Sequence, residues 1–215
     1  MNHRNYQKEL EKILEKLPAD GEPKKLFLHS CCAPCSSYVL EYLSKYFAIT
    51  VFYYNPNITA SQEYFKRVEE QKRLIEIYNR QGGRHPISVI EGDYEPQRFL
   101  DMSKGLEECP EGGERCFRCY ELRLEETARR AKEHEADYFA TTLTISPLKN
   151  AQKLNEIGEN LSTQYGIPWL VSDFKKKEGY KRSIELSTEY GLYRQNYCGC
   201  AYSKAQREIQ KGADA

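Results

Sequence analysis

The sequence predicts an α/β fold: a parallel five-stranded sheet flanked by helices, with an added C-terminal helical segment. Three observations carry that expectation. Short apolar runs alternate with amphipathic stretches long enough for helices, the pattern of right-handed βαβ units. The length of 215 residues suits one domain with additions and can bury a core without staples. Hydrophobic residues make up 40% and charged residues 30%, which separates the chain from disordered sequences. Neither an internal repeat nor a low-complexity linker interrupts it, so residues 1–215 read as a single α/β domain.

Each element follows from its own pattern. Residues 1–23 form an N-terminal helical segment in which Tyr6, Leu10, Ile13, Leu14 and Leu17 recur at helical spacing, closed by Pro18 and Gly21. The apolar run 25–29 (KLFLH) reads as a buried strand that leads into CCAPCSS and a helix carrying Tyr38, Val39, Tyr42, Leu43 and Tyr46. Residues 48–54 (AITVFYY) make a second strand, ended by the turn residues Asn55, Pro56 and Asn57. A charged amphipathic helix over 60–80 stops at Gly82-Gly83; a third strand over 87–90 and a short helix near 95–103 follow. A Gly/Pro/Glu loop at 105–114 opens a helix over 116–134; then 137–142 is strand, 150–165 helix and 168–172 the fifth strand. Residues 173–215 are a helical C-terminal extension whose turn-rich middle carries Cys198 and Cys200. Open α/β sheets bind ligands beyond the carboxyl ends of their strands. Chemistry is therefore expected in HSCCAPC, NPNI and LTISPLK, after the first, second and fourth strands.

The 32 Lys+Arg balance 32 Asp+Glu, which argues against an indiscriminate nucleic-acid binder but allows a local basic patch. No stretch approaches the roughly 20 apolar residues of a membrane span, and the N-terminus lacks a signal-peptide apolar region. A cytoplasmic, reducing location is the resulting expectation, with no membrane partner. Eight cysteines in such a compartment point to metal or redox chemistry.

Seven of the eight fall into three tight groups: Cys31, Cys32 and Cys35; Cys116 and Cys119; Cys198 and Cys200. Cys109 stands apart and reads as an ordinary small apolar residue. The first group sits at a strand-to-helix turn, where backbone N–H groups and the helix dipole lower thiol pKa values. Cys116 and Cys119, three apart at a helix start, face a common point, and Arg115 and Arg118 favour their thiolates. By spacing alone, a four-thiolate zinc site and an iron–sulfur cluster compete evenly. Cys198-Gly199-Cys200 can close only into a strained, oxidising disulfide, so it is a two-electron redox pair or a pair of ligands for a second metal.

Five segments taken together, HSCCAPC (29–35), FYYNPNI (52–58), EGGERCFRCYELRL (111–124), TTLTISPLK (141–149) and YCGCAYS (197–203), resemble the QueH family of epoxyqueuosine reductases. They stand in the family's order from about residue 25 to 203. The resemblance implies removal of the epoxide oxygen from epoxyqueuosine in the anticodon of tRNA, the final step of queuosine synthesis. It implies a [4Fe-4S] cluster, no cobalamin, and a sheet like that of the adenine-nucleotide α-hydrolases (HUP-like). Those relatives carry a Ser/Gly-rich phosphate loop after the first strand. Here residues 30–36 (SCCAPCS) contain no glycine, which speaks against ATP use. Carried over by residue, Cys31, Cys32, Cys116 and Cys119 are the implied cluster ligands, and Cys198 with Cys200 the implied redox-active pair, cycling through a disulfide bond. Cys35 is a further ligand, either of the cluster or of one additional iron.

Turning an epoxide into an alkene takes two electrons and two protons, and hence an electron donor and a proton donor. Tyr120, Tyr197, Tyr202 and His29 are candidates for the second role. Arg123, one turn beyond Cys119, is either a substrate-orienting residue or an i,i+3 partner of Glu126. For tRNA contact the candidate patch is Lys175, Lys176 and Lys177, ahead of Arg129, Arg130 and Lys132. Two other readings stay open: an ATP-dependent tRNA thiolase on the same sheet, and a zinc-stapled RNA-binding module.

Overall fold

The computed structural model describes residues 4–18, 20–82 and 84–213. Residues 1–3 and 19 of the expected N-terminal segment, and Gly83 of the expected helix stop, lie outside these residues. The elements run α1 (Tyr6–Leu14), β1 (Lys24–His29), α2 (Ala33–Leu43), β2 (Phe47–Tyr53), α3 (Ser61–Gln81), β3 (Ile87–Glu91), α4 (Pro96–Met102) and α5 (Glu114–Glu133). After these come β4 (Tyr138–Thr141), a 3₁₀ turn over Thr142–Ile145, α6 (Ala151–Tyr165), α7 (Gly179–Glu189) and α8 (Ala201–Ala213). Among the described residues no helix is long and apolar enough to cross a membrane.

The sheet is parallel throughout, in the order β3-β2-β1-β4. Alternation along the strands decides which helices cover which face. Leu26 and Leu28 of β1 and Ile49 and Val51 of β2 pack with Val39, Leu40 and Leu43 of α2 and Leu74 and Ile75 of α3. Phe27 and Phe52 point the other way, against Leu124 and Ala128 of α5 and Leu154 and Ile157 of α6. α7 docks on α2, where Arg182 pairs with Glu41 at 2.7 Å. The result carries every switch from strand to helix at one end of the sheet, so HSCCAPC, NPNI and the 3₁₀ turn meet there.

Two expectations are corrected. The sheet has four strands, not five: residues 168–172 touch β4 through a single bridge, Phe139 to Trp169. The physical reason lies on α6. Asn155 Oδ1 accepts from the Ser172 backbone N–H (3.1 Å) and from Trp169 Nε1 (3.0 Å), while its Nδ2 donates to the Ser172 carbonyl (2.9 Å). A side chain thus takes the Ser172 backbone bonds, and pairing with β4 stops at the bonds Phe139 makes to Pro168 and Leu170. The close approach of Trp169 is possible because Gly158 has no Cβ, which would otherwise sit 2.2 Å from the indole. The N-terminal helix is also shorter than expected, starting at Tyr6 with Asn5 as its cap and ending at Leu14.

Candidate metal centre

The first thiol group straddles the start of α2. Cys32 is the N-cap in extended conformation, and Pro34 sits in the first turn, where its missing N–H costs nothing. The Cys31 N–H donates to Thr142 Oγ1 at 3.2 Å, tying the turn after β1 to the turn after β4. The Sγ atoms of Cys31, Cys32 and Cys35 all lie within 4.8 Å of one another, with Cys31 and Cys32 at 3.8 Å. Hydrogen bonds from Cys31 and Cys35, with Arg67 nearby, hold the Cys32 thiol well below its usual range. Sharing the same protons raises Cys31 and Cys35. Cys35 is therefore a full member of the tight sulfur group.

Cys116 and Cys119 stand on the first turns of α5, around that group rather than within it. Cys116 accepts from the Gly112 N–H at 3.3 Å and packs, like Cys31, against the α5–α6 core. Cys119 is buried with Phe99 and Cys200, and burial pushes its thiol up to about 11. The helix thus brings the second cysteine group between the first and the third. Arg115 and Arg118 do not serve these thiols as expected. Arg115 is buried and donates to the carbonyls of Leu106 (2.7 Å) and Glu107 (2.8 Å), pinning the preceding loop. Arg118 pairs with Glu114 at 3.0 Å.

Cys198 and Cys200 are free thiols 3.6 Å apart, so the expected disulfide is not formed; bonded sulfurs lie at about 2.05 Å. Gly199 between them adopts φ 117°, a conformation a side chain resists. The Cys198 carbonyl accepts from Arg67 Nη1 (3.1 Å) and Asn57 Nδ2 (3.4 Å), which fixes the segment over the cleft. The Cys200 thiol and the Lys149 ammonium hold Cys198 well below the usual thiol range, whereas Cys200 is raised by the shared proton and by burial. Cys198 is the more acidic thiol of the pair.

Arg123 is the charged centre of this end of the sheet. It is 3% exposed, donates from Nη2 to Asn55 Oδ1 (2.5 Å) and from Nε to His29 Nε2 (3.3 Å), and Asn55 in turn donates to the Ser30 carbonyl (2.8 Å). It does not pair with Glu126, which Arg129 binds at 2.5 Å. Burial and the neighbouring Arg123 push His29 down to about 3, so the imidazole is neutral and holds Thr141 Oγ1 at 2.8 Å. An uncharged His29 is a structural link, not a ready acid. Of the tyrosines, Tyr120 is buried with an unpartnered hydroxyl, Tyr202 Oη lies 3.0 Å from Ser103 Oγ, and Tyr197 packs under the Arg67 guanidinium at 5.3 Å.

Of these groups, Cys31, Cys32, Cys35, Cys198, Arg67, Arg123 and Tyr197 line one cleft with a cavity of about 170 Å³, whereas Cys116, Cys119 and Cys200 do not. Lys175, Lys176 and Lys177 do not line it; Lys175 pairs with Asp173 at 2.9 Å and Lys177 with Glu11. Arg129 and Arg130 form exposed pairs with Glu126 and Glu133. Arg67, Asn55 and Lys149 are neighbours of the thiol groups that sequence reasoning did not single out. Only the place of Asn55 and Lys149 in segments beyond strand ends signalled them. The donor set fits a thiolate-bound metal group: three clustered sulfurs of a soft-metal type face a buried guanidinium that, among the described residues, has no carboxylate partner.

Residues 26–206 match the family described as epoxyqueuosine reductase QueH. The chain is 45% identical to epoxyqueuosine reductase QueH of Staphylococcus epidermidis, over 98% of this chain and 91% of that protein. The corresponding protein of Thermotoga maritima is 34% identical over 85% of this chain and 91% of its own length. The U34-tRNA thiolase NcsA from Methanococcus maripaludis, solved with its [4Fe-4S] cluster, has a similar fold. Its TM-score is 0.53 at 13% identity, covering 95% of this chain and 73% of that one. With the family matched over most of its length and relatives this similar, the chain belongs to the epoxyqueuosine reductase QueH family.

Proposed function

We propose that this protein reductively removes the epoxide oxygen of epoxyqueuosine in tRNA to give queuosine, using an iron–sulfur centre. The observation that carries the reading is the tight grouping of Cys31, Cys32 and Cys35, with Cys198 lining the same cleft, in a chain of this family. Cys31, Cys32, Cys116 and Cys119 are the proposed ligands of a [4Fe-4S] cluster. Cys35, whose sulfur is grouped with the first two, is a ligand of that cluster or of an additional iron. Bound there, the centre supplies electrons one at a time from an external donor.

The residues of the chain account for the remaining steps. Opening an epoxide to an alkene and water requires two electrons and two protons, and a pair of thiols closing to a disulfide releases both. Cys198 and Cys200, 3.6 Å apart, are the proposed pair: C–O bonds break, an S–S bond forms, and the Cys200 thiol proton together with one from the Lys149 ammonium leaves with the oxygen as water. Lys149 keeps Cys198 in its nucleophilic form. Arg67 and Asn57 hold the Cys198 carbonyl, so the pair moves little when it closes. Tyr197 packs beside it under Arg67. The donor then reopens the disulfide for the next turnover.

The test is nucleoside mass spectrometry of epoxyqueuosine-containing tRNA after anaerobic incubation with reduced protein, where loss of one oxygen is expected. Cys198→Ser is expected to abolish that conversion while iron and sulfide content stay near wild type. A variant that loses its iron and sulfide together removes Cys198 from the redox role.

A further inference from the structure

We propose that Arg194 and Arg207, at the mouth of the thiol cleft, bind the phosphodiester backbone of the substrate RNA beside the nucleotide that enters. This deepens the tRNA reading above and rests on it. The cleft collects five cations, Arg67, Arg123, Lys149, Arg194 and Arg207, against the single carboxylate Glu111, in a chain whose net charge is zero. Two of the five are neutralised: Arg67 pairs with Glu63 at 2.6 Å and Lys149 with Glu111 at 3.1 Å. Arg123 is buried and bound to His29 and Asn55. Arg194 and Arg207 differ from all three. Arg194 is exposed and Arg207 half-buried, and their recorded partners are neutral, the Ser187 hydroxyl at 3.1 Å and the Gln210 side-chain oxygen at 3.1 Å. Among the described residues neither has a carboxylate partner, so each can turn its charge to an incoming anion at little desolvation cost.

Size and lining point to the kind of anion. A cavity of about 170 Å³ is well below the roughly 300–1,000 Å³ that encloses a free small ligand, so it accepts one part of a ligand whose bulk stays outside. Tyr180 (36% exposed) and Leu148 (56% exposed) line the same cleft as the two arginines and present aromatic and apolar surface. Cations that follow a phosphate backbone, interleaved with an aromatic platform, are the physical signature of single-stranded nucleic-acid binding. Lys175, Lys176 and Lys177 lack this setting, since they lie off the cleft and two of them are tied to Asp173 and Glu11.

The experiment measures the affinity of the full-length, iron-loaded protein for epoxyqueuosine-containing tRNA across a salt series. The variants compared are Arg194→Glu with Arg207→Glu, and the triple change of Lys175, Lys176 and Lys177 to Glu. Melting curves and iron content verify that each is folded and loaded. Losing two phosphate contacts should weaken binding about tenfold or more and flatten the log–log salt slope by about 1.4, at about 0.7 per single-strand contact. The lysine variant should keep the wild-type slope. Unchanged affinity and slope in the arginine variant, beside a wild type that binds, would overturn the assignment. A wild type with no affinity for this tRNA would overturn the RNA reading itself.

Discussion

Helix α5 contains two chemistries separated by less than two turns. At Arg123 the guanidinium is buried, bonded to neutral groups, and surrounded by Cys31, Cys119 and Cys198. At Arg129 it is exposed and held by Glu126 and Glu133 along the helix surface. Identical residue type, same helix, opposite roles. An exposed i,i+3 or i,i+4 pair is worth a few tenths of a kcal/mol and is screened by salt. A buried cation without a carboxylate costs free energy unless something anionic shares its space, and of the three sulfurs here Cys198 is the one held below its usual range. On this helix, charge at the carboxyl end of the sheet faces the sulfur groups, and charge further along faces water and carboxylates.

Substitutions along α5 test that division. The largest effect on stability is expected between the two arginines, at Leu124, which is 0% exposed in the α5–α6 core. Leu124→Ala should cost about 3 kcal/mol in urea unfolding, without any preferential loss of iron from the folded fraction. Selective iron loss there would mean that packing and chemistry are not separable on this helix. Next, Arg123→Met should lower turnover about 100-fold, a barrier increase of about 2.7 kcal/mol. Arg123→Lys should recover only part of it, because a point charge cannot serve Asn55 and His29 together. Turnover kinetics on epoxyqueuosine-containing tRNA measure both, and a fully active Arg123→Met removes Arg123 from the site. The smallest effect belongs to Arg129→Ala, expected to change stability by under about 1 kcal/mol and turnover not at all. If Arg129→Ala matched Arg123→Met, the contrast between the two ends of the helix would collapse.

Much of the site was legible in residue order because close spacing in a chain survives folding. Cys31, Cys32 and Cys35 stay together whatever the tertiary structure does, and a strand–turn–helix pattern puts them at the carboxyl end of a sheet. Arg67 was not legible. Within a charged amphipathic helix, an Arg four residues after Glu63 looks like an ordinary surface pair, and only docking of the Cys198 segment buries it. The choice left open at Arg123 was likewise undecidable, since Glu126 is in reach of both Arg123 and Arg129 by spacing. The fifth strand failed for a related reason. Residues 168–172 have the composition of a strand, but Asn155 on the helix just before them takes the backbone hydrogen bonds of Ser172.

The sequence by itself determined the alternating parallel architecture, the three cysteine groups, and the position of the first group at a helix start. These depend on periodicity and on neighbours a few residues apart. Only the tertiary structure decided that Cys119 packs against Cys200, that Arg67 and Lys149 serve Cys198, and that Arg194 and Arg207 stand at the opening while Lys175 and Lys177 are spent on carboxylates. Apart from the Lys175–Asp173 pair, those facts join segments far apart in the chain, and a charge's role depends on which opposite charge and how much water remain beside it once the chain has closed.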